Sequence, residues 1–312
     1  MKFIAYIFTY SFVWLLHLLP ERFLYALSDV FYLLIYHVVA YRRKVVRDNL
    51  TRAFPEYDRA AIRQTAKKFY HHLCDLMLEQ AVFHFHSERK ALQKISYKNP
   101  ELLNELYAKG KMVMAVLGHY GNWEYMASLG LAIDHPVVAI YKPLGNKYFD
   151  RMVQNNRKAF GVIPVPMSRI GRSLMEYQKN NEPVLTLFLG DQRPLYHQIQ
   201  YWTKFMGLDT PMFLGTEKLA RKLDAAVVFL KIRKIRRGRY ETEVQLICES
   251  PEGLEPYEIT ERHVAILEDL IREEPAYWLW SHKRWKHTYE EFQKKQGPRL
   301  NSSLKGENKA GT

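Results

Sequence analysis

Short apolar runs and longer amphipathic stretches alternate through the middle of the chain. The short runs predict buried strands, and the stretches with apolar residues three and four apart predict helices. The strands fall at residues 113–117, 137–141, 162–165, 184–189 and 226–231, with helices near 123–131, 148–160, 174–178 and 212–223. This alternation predicts an α/β fold in which helices flank one sheet.

A further alternating segment, residues 239–248, follows the last of these strands across Arg237 and Gly238. This arrangement is typical of a β-hairpin. An antiparallel partner at this position makes the predicted sheet mixed.

Two helices are predicted ahead of the first strand. Asp58 is placed to cap a long helix that runs to about Phe85. Its predicted core face carries Ile62, Ala66, Phe69, Leu73 and Met77. Asn99 and Pro100 open the second helix, which ends before Gly110 and leads into the first strand.

The amino-terminal residues 3–19 are almost uninterruptedly apolar. As a helix they would reach about 26 Å, nearly the thickness of a bilayer core. A secretory signal is the competing interpretation, but Pro20, Glu21 and Arg22 follow where a small-residue cleavage site would be needed. The pattern favours an uncleaved membrane-anchor helix.

A second apolar stretch, residues 23–41, is interrupted by Ser28 and Asp29 and ends at the basic residues 42–44. It could lie along the membrane surface or return as the second arm of a hairpin. The basic end is expected at the cytoplasmic face. The predicted division is a membrane anchor and amphipathic segment at 1–41, a catalytic domain at 42–296 and a disordered tail at 297–312.

The chain has a net charge of +13, concentrated near residues 42–47, 231–239 and 283–286. No zinc finger, RNA-binding aromatic signature or recognition helix accompanies these clusters, which ranks nucleic acid below an anionic lipid or an acidic carrier protein. Cys74 and Cys248 lie in apolar patterns and indicate core positions in a reducing compartment. The paired histidines 71–72 and 84–86 are joined to no cysteine or carboxylate cluster, so no metal site is predicted.

The most informative chemistry lies directly after the first central strand. Residues 118–124 read Gly-His-Tyr-Gly-Asn-Trp-Glu and place His119 five positions before Glu124. On a continuous helix such residues point about 140° apart. Gly118 and Gly121 allow the backbone to break between them, so that the pair can resemble a general base held by a carboxylate.

The spacing alone proves little, because His263 and Glu268 share it. That second pair lies in a glycine-free stretch with helical spacing, so its side chains are expected to diverge on a solvated helix face. The strand, the two glycines and the neighbouring aromatic residues favour a functional role for the first pair.

Two further segments follow predicted strands. Lys142 comes after the second central strand and Asp191 after the strand at 184–189. Sites in open α/β sheets lie beyond the carboxyl ends of the strands. The sequence therefore predicts that these segments converge with His119.

Several ordered blocks resemble one family, the bacterial late acyltransferases of lipid A biosynthesis. The resemblance spans about Tyr41 to Tyr289. Its blocks are Arg42-Arg43, Asn49-Leu50, Ala53-Phe54-Pro55, residues 118–124, Tyr141-Lys-Pro-Leu144, Arg157 with Phe160-Gly161, Asp191-Gln192, Phe205-Met-Gly207 with Thr210-Pro211, and Trp280 with residues 282–286.

The resemblance implies a glycerolipid-acyltransferase type of α/β fold on the cytoplasmic face of the bacterial inner membrane. It implies transfer of a fatty acyl chain from an acyl carrier protein thioester, or from acyl-CoA, to a hydroxyl of an anionic glycolipid, the lipid A precursor. No cofactor beyond this co-substrate is expected. Lys142 stands where an arginine is more usual in the family, which bears on headgroup binding because an ammonium cannot grip a phosphate with two prongs.

The chemistry assigns roles to these residues. His119 would remove the proton of the attacking alcohol, with Glu124 orienting the imidazole. The tetrahedral oxyanion needs donors, either backbone N–H groups at the turn around Gly121 and Asn122 or the guanidinium of Arg157. Arg157 could equally bind a substrate phosphate. Asp191 would position a substrate group, brace its loop, or serve a structural role only.

The carboxyl-terminal aromatic residues admit two interpretations. Trp278, Trp280, Trp285 and Tyr289 surround Lys283 and Arg284, which fits either a membrane-interface belt or core packing with solvated cations. Three function classes remain open at this stage: acyl transfer to a lipid A precursor, the same chemistry on another glycolipid, phospholipid or aminolipid, and a non-catalytic basic membrane-binding protein. A covalent serine or cysteine hydrolase is disfavoured because the chain has no Gly-x-Ser-x-Gly elbow.

Overall fold

Seven strands form one mixed sheet in the computed structural model, which describes residues 2–296. The strands of the sheet are β1 (Ile95–Lys98), β2 (Val113–Leu117), β3 (Val137–Tyr141), β4 (Val162–Pro166), β5 (Leu185–Leu189), β8 (Ala226–Arg236) and β9 (Arg239–Cys248). Their order is β1-β9-β8-β2-β5-β3-β4. Strands β6 (Tyr201–Phe205) and β7 (Leu208–Met212) form a separate antiparallel hairpin.

Strands β8 and β9 pair antiparallel across the predicted turn, and the other neighbours in the large sheet pair parallel. The predicted α/β fold with a mixed sheet is confirmed. The sequence pattern missed β1 and the β6–β7 hairpin, and it ended β8 early, because residues 232–236 mix apolar with basic side chains.

Helices cover both faces of the sheet. They are α1 (Lys2–Leu18), α2 (Glu21–Tyr32), α3 (Arg43–Ala53), α4 (Arg59–Phe83), α5 (Glu88–Leu92), α6 (Glu101–Ala108), α7 (Lys147–Ala159), α8 (Ile170–Lys179), α9 (Gly215–Leu223), α10 (Glu258–Glu273) and α11 (Tyr289–Gln296). A π-helical segment, Leu33–Val38, extends α2, and Trp123–Leu131, Tyr196–Gln198 and Pro275–Tyr277 are 3₁₀.

Helix α4 begins where the sequence indicated, since the carboxylate of Asp58 accepts a hydrogen bond from the Ala61 N–H at 2.7 Å. Most of its predicted apolar face is buried in the main core. Met77 differs, because its side chain is 49% exposed. Asp75 and Glu79, on the buried side of the same helix, are almost inaccessible to solvent.

The membrane-anchor helix is not established by length. Among residues 2–296, no single helix is both long and apolar enough to cross a bilayer, although one bent pair, Glu21–Val38 with Arg43–Ala53, qualifies by length and composition with an 89° bend. Helix α1 leaves many large apolar side chains exposed, among them Phe3, Ile4, Phe8, Phe12, Trp14 and Leu15.

Helix α2 is held against α4 and the β8–β9 hairpin by polar contacts. Tyr25 donates to Glu79 at 3.0 Å and Ser28 donates to Asp75 at 2.7 Å. At the hairpin tip, Arg237 binds both Asp29 and Asp75 at 2.6 Å. The second apolar stretch is therefore joined to the α/β body by its polar residues.

The predicted disordered tail, residues 297–312, lies outside the described residues.

The carboxyl-terminal tryptophans belong to the core. Trp278 and Trp280 are 2% and 0% exposed, and their rings pack edge to face with centroids 4.7 Å apart. Trp285 is also buried and donates to the hydroxyl of Thr210 at 2.8 Å. Core packing, not an interfacial belt, describes these three residues. Cys74 and Cys248 are unpaired and buried, as predicted.

Candidate active site

The His119 turn leaves the carboxyl end of β2 and is fixed to the chain segment that follows α10. The His119 carbonyl accepts the Leu279 N–H at 3.1 Å, and the Gly121 N–H donates to the Tyr277 carbonyl at 3.0 Å. Gly121 has a φ of +59°, a conformation that favours glycine. At Gly118, a β-carbon would lie 2.6 Å from Leu267 Cδ1. The backbone of the turn therefore favours glycine at position 121, and a larger residue at position 118 would require the Leu267 side chain to move.

Sheet register brings Asp191 to His119. Strands β2 and β5 are parallel neighbours, and Leu117 lies opposite Leu189. His119 and Asp191 each come two residues beyond this pair, so the two chains deliver them to the same edge. The predicted convergence of these two segments is observed, and it follows from strand order and register.

Asp191 accepts three hydrogen bonds. Its Oδ1 lies 2.6 Å from His119 Nδ1, while Oδ2 accepts the His119 backbone N–H at 2.9 Å and Trp278 Nε1 at 2.7 Å. A carboxylate only accepts, so His119 Nδ1 carries the proton and Nε2 keeps its lone pair. The side-chain amide of Gln192 lies 3.0 Å from Nε2 and donates to it. This is the tautomer that a general base requires.

The electrostatics of the pair follow from burial and mutual attraction. Burial opposes the charged form of His119, but the nearby Asp191 carboxylate outweighs it and raises the pKa of His119 above its usual 6.5. Burial likewise acts against the charge on Asp191, yet His119 and the Trp278 donor lower the pKa of Asp191 to about 2. Asp191 therefore remains ionised when His119 changes its protonation state.

Glu124 does not hydrogen-bond to the imidazole. It lies in the 3₁₀ segment Trp123–Leu131, where its carboxylate is 3.8 Å from Arg157 Nη2. Its charge still contributes to the raised pKa of His119. The orienting hydrogen bond expected from Glu124 is made by Asp191, because the backbone break turns Glu124 towards α7 instead.

The backbone donors expected for an oxyanion are largely used within the protein. The N–H groups of His119 and Gly121 are bonded to Asp191 and to the Tyr277 carbonyl. The side-chain amide of Asn122 is also unavailable, because Asn122 is fully buried and its Nδ2 donates to Glu79 at 2.9 Å. In contrast, Arg157 Nη1 is buried and has no hydrogen-bond partner among the described residues. Among the side chains predicted for the oxyanion site, Arg157 offers a donor that is not already bonded within residues 2–296.

Helix α4 supports the turn from behind. His72 Nε2 donates to the Gly121 carbonyl at 3.3 Å, and burial together with Lys234 keeps the pKa of His72 well below its usual value. One carboxylate oxygen of Glu79 accepts from Asn122 at 2.9 Å and from Tyr240 at 2.8 Å. His72 and Glu79, two turns apart on one helix face, therefore position the residues that follow His119.

A groove opens beside Glu124. It has a volume of about 380 Å³, and its walls come from α4, the 3₁₀ segment and α7. Its lining residues are Met77, Gln80, Ala81, Phe83, His84, Glu124, Ala127, Val153 and Arg157. The exposed position of Met77 is explained by this groove.

Lys142 makes no contact with His119 or Asp191. It follows β3, but its side chain is exposed and forms no hydrogen bond or ion pair with the described residues. Within residues 2–296, no group of three His, Cys, Asp or Glu side chains is close enough together to hold a metal ion.

Sequence reasoning missed several residues of the site. Trp278 and Gln192 contact Asp191 and His119 directly, and His72 and Glu79 act from α4. Polar residues on the apolar face of α4 were the available signal for the last two. No local pattern marks Trp278, because its contact depends on how a distant segment packs.

A comparison with curated proteins gives no match. The profile of the bacterial lipid A biosynthesis acyltransferase family matches residues 2–287. This match includes β2, the His119 turn, Asp191 and the buried tryptophans. The chain therefore belongs to the bacterial lipid A biosynthesis acyltransferase family and is an acyltransferase acting on lipid A.

Proposed function

We propose that the chain transfers a fatty acyl group from an acyl carrier protein thioester to a hydroxyl of a lipid A precursor, with His119 as general base. The observation that carries this proposal is the Asp191 hydrogen bond to His119 Nδ1 at 2.6 Å, which keeps the lone pair on Nε2. That lone pair, to which Gln192 donates, would accept the proton once the substrate hydroxyl takes the place of the Gln192 amide. An alcohol is a weak nucleophile near neutral pH, so removal of its proton during attack lowers the barrier.

The remaining groups take complementary roles in this proposal. The Asp191 carboxylate orients the imidazole and stabilises its charged form after proton transfer. Arg157 would stabilise the oxyanion that forms on the thioester carbonyl. Its buried Nη1, which has no partner among the described residues, supports this role. Glu124 holds Arg157 and adds negative charge near His119. The acyl chain of the donor would lie in the groove beside Glu124, whose apolar wall includes Met77 and Val153.

The donor and the location are parts of the same proposal. The net charge of +13 fits an acidic carrier protein as the donor. The exposed apolar residues of α1 favour attachment to the inner membrane, with the α/β body on the cytoplasmic side. Acyl-CoA as donor and another lipid hydroxyl as acceptor are the competing outcomes of the experiment below.

The test measures transfer from acyl carrier protein to a tetraacylated lipid A precursor with the full chain. Replacing His119 by glutamine should lower kcat/KM by about 10²–10⁴-fold, because the proton acceptor is lost while the size of the side chain is roughly kept. His263→Gln is the matched control, since His263 is buried and forms no hydrogen bond or ion pair with Asp191 or Glu124 among the described residues. Unchanged turnover in His119→Gln would end the catalytic role of this residue.

Substrate identity needs separate measurements. Rates with acyl-CoA should be well below those with acyl carrier protein, and mass spectrometry of lipid A from cells with and without the protein should differ by one acyl chain. A difference in another lipid class, with lipid A unchanged, would contradict the lipid A acceptor.

A further inference from the structure

Four side chains beyond the His119 pair carry buried donors that have no hydrogen-bond partner within residues 2–296. We name Arg193, Tyr196, Trp202 and Arg284 the donor cluster. Unpartnered atoms in this cluster are Nε and Nη1 of both arginines, the Tyr196 hydroxyl and Trp202 Nε1. Buried polar groups in proteins nearly always have hydrogen-bond partners, so six such atoms in one cluster call for a ligand.

Contacts place the donor cluster in one region beside the site. Arg193 is two residues after Asp191, and its backbone N–H donates to His282 Nε2 at 3.2 Å. The Tyr196 ring lies 5.4 Å from the ring of His287, and both Tyr196 and Trp202 pack against Phe292 at about 5.5 Å. The loop after β5, strand β6 and the carboxyl-terminal segment therefore enclose these donors together.

Arg284 is the most unusual member of the donor cluster. Its side chain is fully buried, and its polar contacts are those of Nη2 with the Pro211 carbonyl and Met212 Sδ, both at 2.8 Å. Burial is the main reason that the pKa of Arg284 is lowered to about 9. The negative charge of Asp191 opposes this shift, and the positive charge of Arg193 adds to it. No acidic side chain in residues 2–296 forms an ion pair with either arginine, while Asp191 already binds His119 and Trp278.

A buried cation that has no ion-pair partner is costly, and a second cation nearby increases that cost. An anionic ligand would remove it. Guanidinium groups present planar N–H pairs that match the oxygens of a phosphate or carboxylate, and the indole and phenol add single donors to the same kind of group. Every unpartnered atom of the cluster is able to donate a hydrogen bond. The ligand that fits the cluster is therefore an anion with several oxygen atoms.

We propose that the donor cluster is a subsite for a phosphate or carboxylate group of the acceptor glycolipid, held beside His119 by Arg193 and Arg284. The inference rests on the proposed function for the identity of the acceptor. Gln192 links the two sites, since its side chain donates to His119 while its neighbour Arg193 belongs to the cluster. The subsite shares no residue with the groove beside Glu124, which separates the acceptor headgroup from the acyl chain of the donor.

The first experiment compares Arg193→Gln with the parent in transfer assays, with acceptor and donor varied in turn. Arg193→Gln should raise KM for the anionic acceptor about 10–100-fold, which corresponds to the loss of a charged hydrogen bond. KM for the donor should stay the same, and so should the rate with an acceptor stripped of its phosphate and carboxylate groups. Arg272→Gln is the matched control, because it removes an exposed arginine bound to Glu268.

The alternative source of the anion is the phosphate of the thioester arm of the carrier. A rise in KM for the donor, with KM for the acceptor unchanged, would assign the subsite to that phosphate and overturn the acceptor assignment. Equal kinetics in Arg193→Gln and Arg272→Gln would overturn the subsite itself.

A binding measurement separates this inference from the proposed function. Inorganic pyrophosphate should raise the Tm of the full-length parent and of Arg272→Gln, but not of Arg193→Gln. Arg284→Lys, which keeps a positive charge at the buried position, should show a reduced shift. A specific shift without acyl transfer to any lipid would contradict the proposed function and retain the anion subsite, whereas the absence of a shift in the parent would overturn the subsite.

Discussion

His119 and His263 stand at the same distance in sequence from a glutamate, yet their surroundings make them different chemical groups. The chain breaks after His119, and the turn places its imidazole against the buried carboxylate of Asp191. The chain around His263 continues as helix α10. The hydrogen-bond partner of His119 comes from the end of a neighbouring strand, which sequence spacing does not reveal.

The helix also corrects the expectation for the second pair. His263 is 5% exposed and lies close to Gly190, so it does not belong to a solvated face. Burial lowers the pKa of His263 to about 4, and no described carboxylate pairs with it. Glu268 diverges, as predicted, and accepts the Met206 N–H at 2.6 Å. The pKa values of His119 and His263 thus lie on opposite sides of 6.5, and the main difference is the Asp191 carboxylate that is hydrogen-bonded to His119.

Removal of the Asp191 carboxylate should lower the pKa of His119, as burial lowers that of His263. Asp191→Asn should lower kcat/KM by about 10²–10⁴-fold, because the amide no longer fixes the productive tautomer. In the parent, neutral His119 is the active form and its pKa is raised, so activity should fall as pH decreases through a value above 6.5. In Asp191→Asn, burial acts without the opposing charge, and this acidic limb should move to lower pH. A pH profile of kcat/KM measures both effects, and an unmoved limb would contradict the assignment.

Substitution of Glu79 on α4 should reduce activity less than Asp191→Asn does, but more than substitution of His263. Glu79→Gln replaces a charged acceptor of three hydrogen bonds with a neutral amide in which one of the two terminal atoms no longer accepts. We expect unfolding free energy to fall by about 1–3 kcal/mol, and kcat to fall about 10-fold as the turn shifts.

Denaturant unfolding and kinetics below the onset of unfolding measure these two effects separately. Tyr240→Phe is the matched control, since it removes one hydrogen bond to Glu79 and leaves Asn122 in place. Equal kcat in Glu79→Gln and Tyr240→Phe would indicate that Glu79 stabilises the fold without positioning the turn.

The smallest effect is expected at His263 itself. His263→Phe keeps an apolar ring of similar size in a buried position, so stability should change by less than about 1.5 kcal/mol. The acidic limb of the pH profile should remain that of the parent, because His263 is neutral throughout the working range. Differential scanning calorimetry and the same pH profile check this, and a displaced limb would place His263 in the catalytic machinery.

Apolar periodicity was sufficient to locate most strands, because central parallel strands are apolar on both faces and bounded by turns. It also placed His119 and Asp191 at strand ends. Their contact required the β2–β5 pairing, which joins residues 72 positions apart. The bond from Trp278 depends on packing over 87 positions. Local patterns carry no information about such pairings, so Glu124, the nearer carboxylate, was assigned the orienting role.

Helix α2 has a consequence for where the chain can be divided. Asp75 and Glu79 lie on α4, inside the catalytic domain, yet Ser28 and Tyr25 supply some of their hydrogen bonds. Asp29 shares Arg237 with Asp75 across the hairpin tip. A protein shortened to begin at residue 42 would keep every residue of the site but expose the carboxylates that brace it. The amino-terminal helices are thus part of the fold that holds the site, and a protein without them should lose stability and acyltransferase activity together.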